Sequence, residues 1–443
     1  MRQKPMKKFV PHLILVFLSF SGLFGQNTPT AIEKAEKKAV IDALCDNLER
    51  EYIFPDITEK YVRMLKDNFL SGKYDGIEQP QEFALSITND LMSVHRDGHL
   101  SVRFNPGWVK NERGRKELDE KAILLQRRRD RASNYGFQEI KILPGNIGYF
   151  KFNVFSYSTD AYDAAVGAIS FLANTDALII DLRTNGGGSP EMVQFLCSYF
   201  LDNPRKHLNS FTFKEKEKLT QYWSYTYLPG RRLDKVDLYL LTSRGTFSAA
   251  EEFTYNLKNM KRAVVIGETT GGGAHDNKFV ILTDNFMMSL PFARAVNPIT
   301  KTNWEEVGVE PDVKVSQDKA LETAQVMASK KLAEKEKDPE FKAYYQWQSE
   351  AYQAALNPVT IDEATLRSYA GSYGPRTITL EGGSLFYQRE GRPKMRMIPI
   401  TDDYFMLVGI DYFRLKFLKE GDRVVAVEGH DLAGAADKHL KNK

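Results

Sequence analysis

A serine hydroxyl acts as a nucleophile when a base can take its proton and donors stand where the oxyanion develops. The stretch TSRGTFSAAEEFTYNL offers such a residue in Ser248, which follows a strand-like run and opens a helical one. Its position is that of an N-cap, with Glu251 three residues on, so it also reads as a capping box. The two readings coexist: at a helix tip the Oγ lies beside the N–H of Ala249 and the positive end of the helix dipole. In ALIIDLRTNGGGSPEM an apolar strand runs through three glycines into a helix, a geometry that turns N–H groups toward an anion but serves equally as a tight turn. AVVIGETTGGGAHDN and KTNWEEVGVEPDVKV, taken singly, read as turns and surface loops.

Seven histidines supply the candidate bases, since an imidazole with an ordinary pKa of about 6.5 suits proton transfer near neutrality. In HLSVRF, His99 shares the polar side of an alternating run with Ser101 and Arg103, opposite Leu100, Val102 and Phe104. His275, just after a glycine triplet, is its rival, and His95 comes third. None of the seven pairs with another ligand at i, i+4 spacing within a helical run, His95 and His99 being separated by the Asp97-Gly98 turn, so the sequence offers no metal cluster and implies no cofactor.

The elements that must position these groups follow from periodicity. Residues 30–105 read as an N-terminal helical subdomain, with apolar positions three and four apart in AVIDALCDNLEREY and YVRMLKDNFL, ending in the DGHL strand. Residues 106–317 begin with a charged helical stretch and then alternate short apolar strands (NIGYFKF, ALIIDLR, VDLYLLTS, AVVIGE) with helices, the signature of an α/β core with parallel pairing. Within it, FVILTDNFMMSLP reads as an antiparallel hairpin turning at Asp284 and Asn285. Residues 318–356 are helical and charged, a linker or cover helix, and 357–443 alternate through short strands and Gly/Asp turns as a small antiparallel, barrel-like all-β domain.

With 42% hydrophobic residues and a formal charge of +3, the chain is ordinary globular protein. Four of its positive charges, Arg2, Lys4, Lys7 and Lys8, precede the apolar run LILVFLSF and the small residues Ser21, Gly22 and Gly25. Residues 1–25 therefore read as a signal peptide cleaved before Gln26, and the expectation is an exported, periplasmic or extracellular protein with no stable membrane insertion. What remains is close to neutral and recruits no nucleic acid, the run from Arg127 to Arg131 being a solvated helix face. Cys45 and Cys197, on apolar faces, read as buried free thiols.

Taken in order, DGHL, DLRTNGGG, TSRGTFSAAEEF, GETTGGGAH and NWEEVGVEPD resemble the tail-specific, or C-terminal-processing, serine peptidases over residues 32–315. The resemblance is to the branch of the interphotoreceptor retinoid-binding protein repeats and the tricorn protease core. It implies a ClpP/crotonase-like core of β-β-α units, consistent with GTFSA in place of G-x-S-x-G around Ser248. It further implies hydrolysis of polypeptides through Ser248 and an acyl-enzyme, with an oxyanion hole of Ala249 and a glycine of DLRTNGGG, Gly187. The better-known branch keeps a lysine base where this chain has Gly273. The branch resembled here nominates His99 instead, with His275 as the alternative, and matches Glu305 to the glutamate behind the base, although Gly98 stands where those sites carry a serine. About forty residues separate HLSVRF from NIGYFKF, too few for a PDZ module, so recognition falls to the cleft itself. Two other functions share these residues: a carrier of apolar ligands and an esterase of small substrates.

Overall fold

Three helices open the described part of the chain because their apolar residues recur every three or four positions. The computed structural model describes residues 31–114, 120–214 and 218–442, so the leader-like segment lies outside the described residues. In α1 (Lys34–Glu51), α2 (Pro55–Leu70) and α3 (Pro80–Val94) the buried stripe includes Val40, Leu44 and Leu48, then Tyr61 and Leu65, then Phe83, Ile87 and Leu91. Proline opens α2 and α3, where a helix has no use for the missing N–H. These helices have no core of their own. They close over Val102 of β1 (Ser101–Phe104) and over Phe286, Met288 and Leu290 from much later in the chain.

The next elements are α4 (Pro106–Gly114), α5 (Glu120–Ala132), β2 (Phe137–Leu143), β3 (Ile147–Phe152), α6 (Ala161–Phe171), β4 (Ala177–Asp181), α7 (Pro190–Tyr199), β5 (His207–Phe213), β6 (Leu219–Trp223) and β7 (Asp237–Thr242). Then come α8 (Ala249–Asn259), β8 (Ala263–Gly267), β9 (His275–Ile281), β10 (Phe286–Val296) and β11 (Val313–Lys314). One sheet has the order β11-β8-β7-β4-β3-β2, parallel throughout except for the β2/β3 hairpin. A second, antiparallel sheet is organised around β10, which pairs with β9 and, at different positions, with β1 and β5; β6 closes its far side.

Both faces of the parallel sheet are covered, which is why ALIID is apolar at nearly every position rather than alternating. Phe150, Ile180, Leu240 and Val265 meet Ile169, Leu196 and Phe253 of α6, α7 and α8. Tyr149, Ile179, Tyr239 and Ile266 face α9 (Ala320–Lys335) and α10 (Pro339–Leu356), so the charged helical stretch covers the sheet. After α11 (Glu363–Tyr369), eight antiparallel strands within residues 371–440 follow one another in chain order, and a bridge between Tyr373 and Lys441 nearly closes them into a barrel. Arg414 of that domain stacks on Trp347 of α10 at 3.8 Å. Among the described residues no helix is long and apolar enough to cross a membrane, and Cys45 and Cys197 are buried free thiols.

Candidate active site

Ser248 stands between β7 and the first residue of α8 in a conformation that L-residues rarely adopt, φ 54° and ψ −120°. The turn is tied down on both sides. Thr246 Oγ1 donates to Leu182 O at 2.8 Å, Ser243 Oγ to Arg183 O at 2.6 Å and Phe247 N to Asn185 O at 3.1 Å, which binds it to the DLRTNGGG loop. On the other side Glu251, fully buried, accepts from Ser248 N at 2.9 Å, Gly272 N at 2.7 Å, Gly273 N at 2.8 Å and Thr270 Oγ1. Burial pushes this carboxyl up to about 7 against the pull of those donors. Glu251 is thus more than a capping residue: it fastens the serine turn to the second glycine triplet. Because its removal strands several buried donors, Glu251→Ala is expected to lose about 3 kcal/mol of stability or more in chemical denaturation.

His99 meets Ser248 from the other sheet, Nε2 to Oγ at 3.1 Å. It differs from its sequence reading in one respect. The strand begins only at Ser101, and His99 lies in the preceding turn, 9% exposed and packed on Phe247 at 4.8 Å between ring centroids. Burial lowers its pKa to about 4, with the charge of Asp97 opposing and that of His275 reinforcing the shift. Its Nδ1 is buried without a partner.

The two alternative bases are committed elsewhere. His275 opens β9, and its Nδ1 lies 2.9 Å from Asp97 Oδ2 and 3.6 Å from Glu305 Oε2. Burial disfavours its charged form, but the hydrogen bond and charge of Asp97 outweigh that and raise its pKa. The same pair holds the Asp97 carboxyl below its usual range despite burial. His95 lies 3.8 Å from Glu306.

Gly273 occupies the position at which the resemblance led to a lysine in other enzymes. A Cβ there would stand 2.2 Å from Phe247 Cζ and 2.7 Å from His99 Cε1, so His99 and Phe247 fill the room a longer side chain would need. Glu305 reaches the site through backbone: Oε1 accepts from Gly98 N at 3.1 Å and Oε2 from Ala274 N at 2.5 Å. It makes no hydrogen bond to His99, so it anchors the turn carrying the imidazole rather than the ring itself. Burial raises the Glu305 pKa, partly offset by the charge of His275.

Asp97, which sequence reading passed over, accepts from three donors. It takes Tyr52 Oη at 3.0 Å, His99 N at 3.0 Å and His275 Nδ1 at 2.9 Å. The turn signal around it gave no hint, because two of these partners, Tyr52 and His275, come from distant elements. Contrary to the expectation from spacing, Asp97, His99 and Glu305 do bring candidate ligand atoms within 4.8 Å of one another. Every oxygen of both carboxylates already accepts an N–H or O–H donor.

The expected oxyanion donors divide. Ala249 N opens α8 and therefore has no acceptor within the helix. Gly187 is a correction: its N–H donates to Asn185 Oδ1 at 2.9 Å, because the amide of Asn185 is fixed by its own bond to Phe152 O at 3.0 Å. The glycine of the DLRTNGGG loop that lines the cleft together with Ser248 and Ala249 is Gly188. The close approach demands glycine at both positions. A Cβ at Gly187 would stand 2.7 Å from Ser248 Cβ, and one at Gly188 2.0 Å from Phe155 O, each at positive φ.

A serine hydroxyl and a helix tip thus share one cleft, and the His99 imidazole meets that hydroxyl from a distant part of the chain. Residues 146–315 match the model of peptidase family S41. The matched segment holds Gly188, Ser248, Glu251, His275 and Glu305, whereas Asp97 and His99 lie outside it. The chain is 32% identical over 179 residues to the chloroplastic carboxyl-terminal-processing peptidase 2 of Arabidopsis thaliana, covering 38% of this chain and 33% of that protein. It is 26% identical over 240 residues to the chloroplastic C-terminal processing peptidase of Tetradesmus obliquus, covering 52% and 49%. The chain therefore spans a third to a half of the length of the curated relatives it matches. Among solved structures it is similar to a photosystem II D1 C-terminal processing protease, with a TM-score of 0.42 and 16% identity over 64% of this chain and 94% of that one.

Proposed function

We propose that this protein is an exported serine peptidase that hydrolyses polypeptides through an acyl-enzyme on Ser248. The observation that carries the reading is the 3.1 Å contact between His99 Nε2 and Ser248 Oγ, at a helix tip whose first N–H is free of helical partners. In the neutral imidazole Nε2 takes the serine proton as the alkoxide attacks the scissile carbonyl. The protonated ring then gives that proton to the leaving amine, and water repeats the sequence to release the acyl group. The N–H groups of Ala249 and Gly188 hold the tetrahedral oxyanion, and each such donor is typically worth about 10²- to 10³-fold in rate. Glu251 and Glu305 fix the loops that carry serine and base, and Asp97 fixes the backbone of His99. Export rests on the basic and apolar leader read from the sequence.

The test is covalent labelling with a fluorophosphonate probe followed by mapping of the modified residue. Stoichiometric modification at Ser248 is expected. A protein that takes no label there, yet binds an apolar ligand in the same cleft, is a carrier and not a peptidase.

A further inference from the structure

The cleft beside Ser248 carries carboxyl groups that the mechanism does not use. Phe211, Trp304 and Pro190 form apolar parts of its lining, and Glu252 and Asp276 line it as well. Glu191 adjoins them, with Oε1 taking the Tyr222 hydroxyl at 3.0 Å and Oε2 the Ser189 hydroxyl at 2.7 Å. Among the described residues none of these three carboxyl groups forms a salt bridge with a lysine, arginine or histidine of the protein. They are close enough to act on one another: burial, reinforced by Glu191, raises Asp276 to about 6. Burial also raises Glu252 to about 8, with Asp276 and Glu191 adding to the shift and Asn209 opposing it.

Two buried amides bear on the same spot. Asn209 and Asn256 are fully buried, and their oxygens are taken by Ser210 N at 2.9 Å and Asn297 Nδ2 at 3.0 Å. Their Nδ2 groups have no hydrogen-bond partner, and both amides favour the ionised form of Glu252. A carboxyl group left in apolar surroundings with no cation beside it is costly to ionise. The same arrangement attracts a cation brought in by a ligand, and aromatic walls add to that attraction.

We propose that this cleft selects a protonated nitrogen of the substrate, held by Asp276 and Glu252 between the aromatic residues Phe211 and Trp304. The inference deepens the peptidase reading and rests on it for the meaning of the site. Two sources can present that chemistry, a lysine or arginine side chain next to the scissile bond and a free peptide N-terminus.

The test has two parts. In the first, N-acetylated peptides differing only at the residue before the scissile bond (Lys, Arg, Leu or Glu) are compared at pH 8, together with Leu peptides bearing a free or acetylated N-terminus. A kcat/KM for Lys or Arg at least about 10-fold above Leu identifies the side chain as the source, and the same advantage for the free N-terminus identifies the terminal amine. Asp276→Asn is expected to collapse that ratio toward one. Equal cleavage of the Lys, Leu and Glu peptides, with no advantage for a free terminus, overturns the inference and leaves the peptidase reading standing. In the second part, p-aminobenzamidine fluorescence is titrated with the Ser248→Ala protein, so the readout is independent of turnover. Saturable binding that Asp276→Asn weakens at least about 10-fold supports the cation site even if no peptide is cut, in which case only the peptidase reading falls. Absence of binding at millimolar ligand overturns the inference.

Discussion

Ser248→Ala is expected to lower peptide hydrolysis by about 10⁶-fold, the order seen when a catalytic serine is lost from a serine peptidase site, while the thermal transition is expected to move by no more than about 2 °C. The two halves of this result have separate causes. The strained backbone at φ 54° is held through main-chain groups, with Ser248 N on Glu251 and Phe247 N on Asn185, and both survive the substitution. The side chain contributes one hydrogen bond, to His99, whose net worth is about 1 kcal/mol. Alanine meets the same penalty at positive φ as serine, so no new strain enters. A coincident loss of turnover and of several degrees of stability would mean that the hydroxyl is a cap, as its capping-box surroundings first suggested. Calorimetry of the purified variant beside a peptide-turnover assay separates the cases.

What could be read in advance from residues 243–260 was the local part: a strand, a turn and a helix whose first N–H groups are free. Helix periodicity in α1 to α3 and the apolar runs of β3, β4, β7 and β8 were legible for the same reason, since each pattern is written within one element. Contacts between elements were not. Asp97 lies in a short polar turn of no special composition, and its importance comes from Tyr52 and His275, 45 and 178 residues away in the chain. His99 was read on the polar side of a strand because alternation was extended two residues too far. It is buried because Phe247, from the serine turn, packs against it. The resemblance implies Gly187 as an oxyanion donor, and only the fixed amide of Asn185 takes that N–H away. Glu251 was visible as a cap, but its bonds to Gly272 and Gly273 depend on the second glycine loop folding back over the helix tip.

His99→Ala is expected to lower kcat by about 10⁴-fold, at the upper end of what a general base contributes, whereas His275→Ala acts chiefly on stability. The electrostatics of the two rings are opposite, which makes pH the discriminating variable. Burial depresses His99 to about 4, so the imidazole stays a competent base well into acid. With a neutral acetylated peptide, the acid limb of kcat/KM is then expected near pH 4 rather than near the ordinary value of about 6.5.

The linkage carries the same sign. Between about pH 6.5 and 4 the unfolded chain binds a proton that folded His99 refuses, so this residue's contribution to stability is present above about 6.5 and is lost as pH falls through that window. For His275 the folded pKa is raised through its bond to Asp97, so its contribution is full below the unfolded value and is lost as pH rises through the folded one. His275→Ala should therefore flatten the alkaline side of the stability profile and leave the acid limb of activity in place. A parent enzyme whose acid limb falls near 6.5, or a His275→Ala variant that loses activity as completely as His99→Ala, would transfer the role of base away from His99, whatever its distance from the serine.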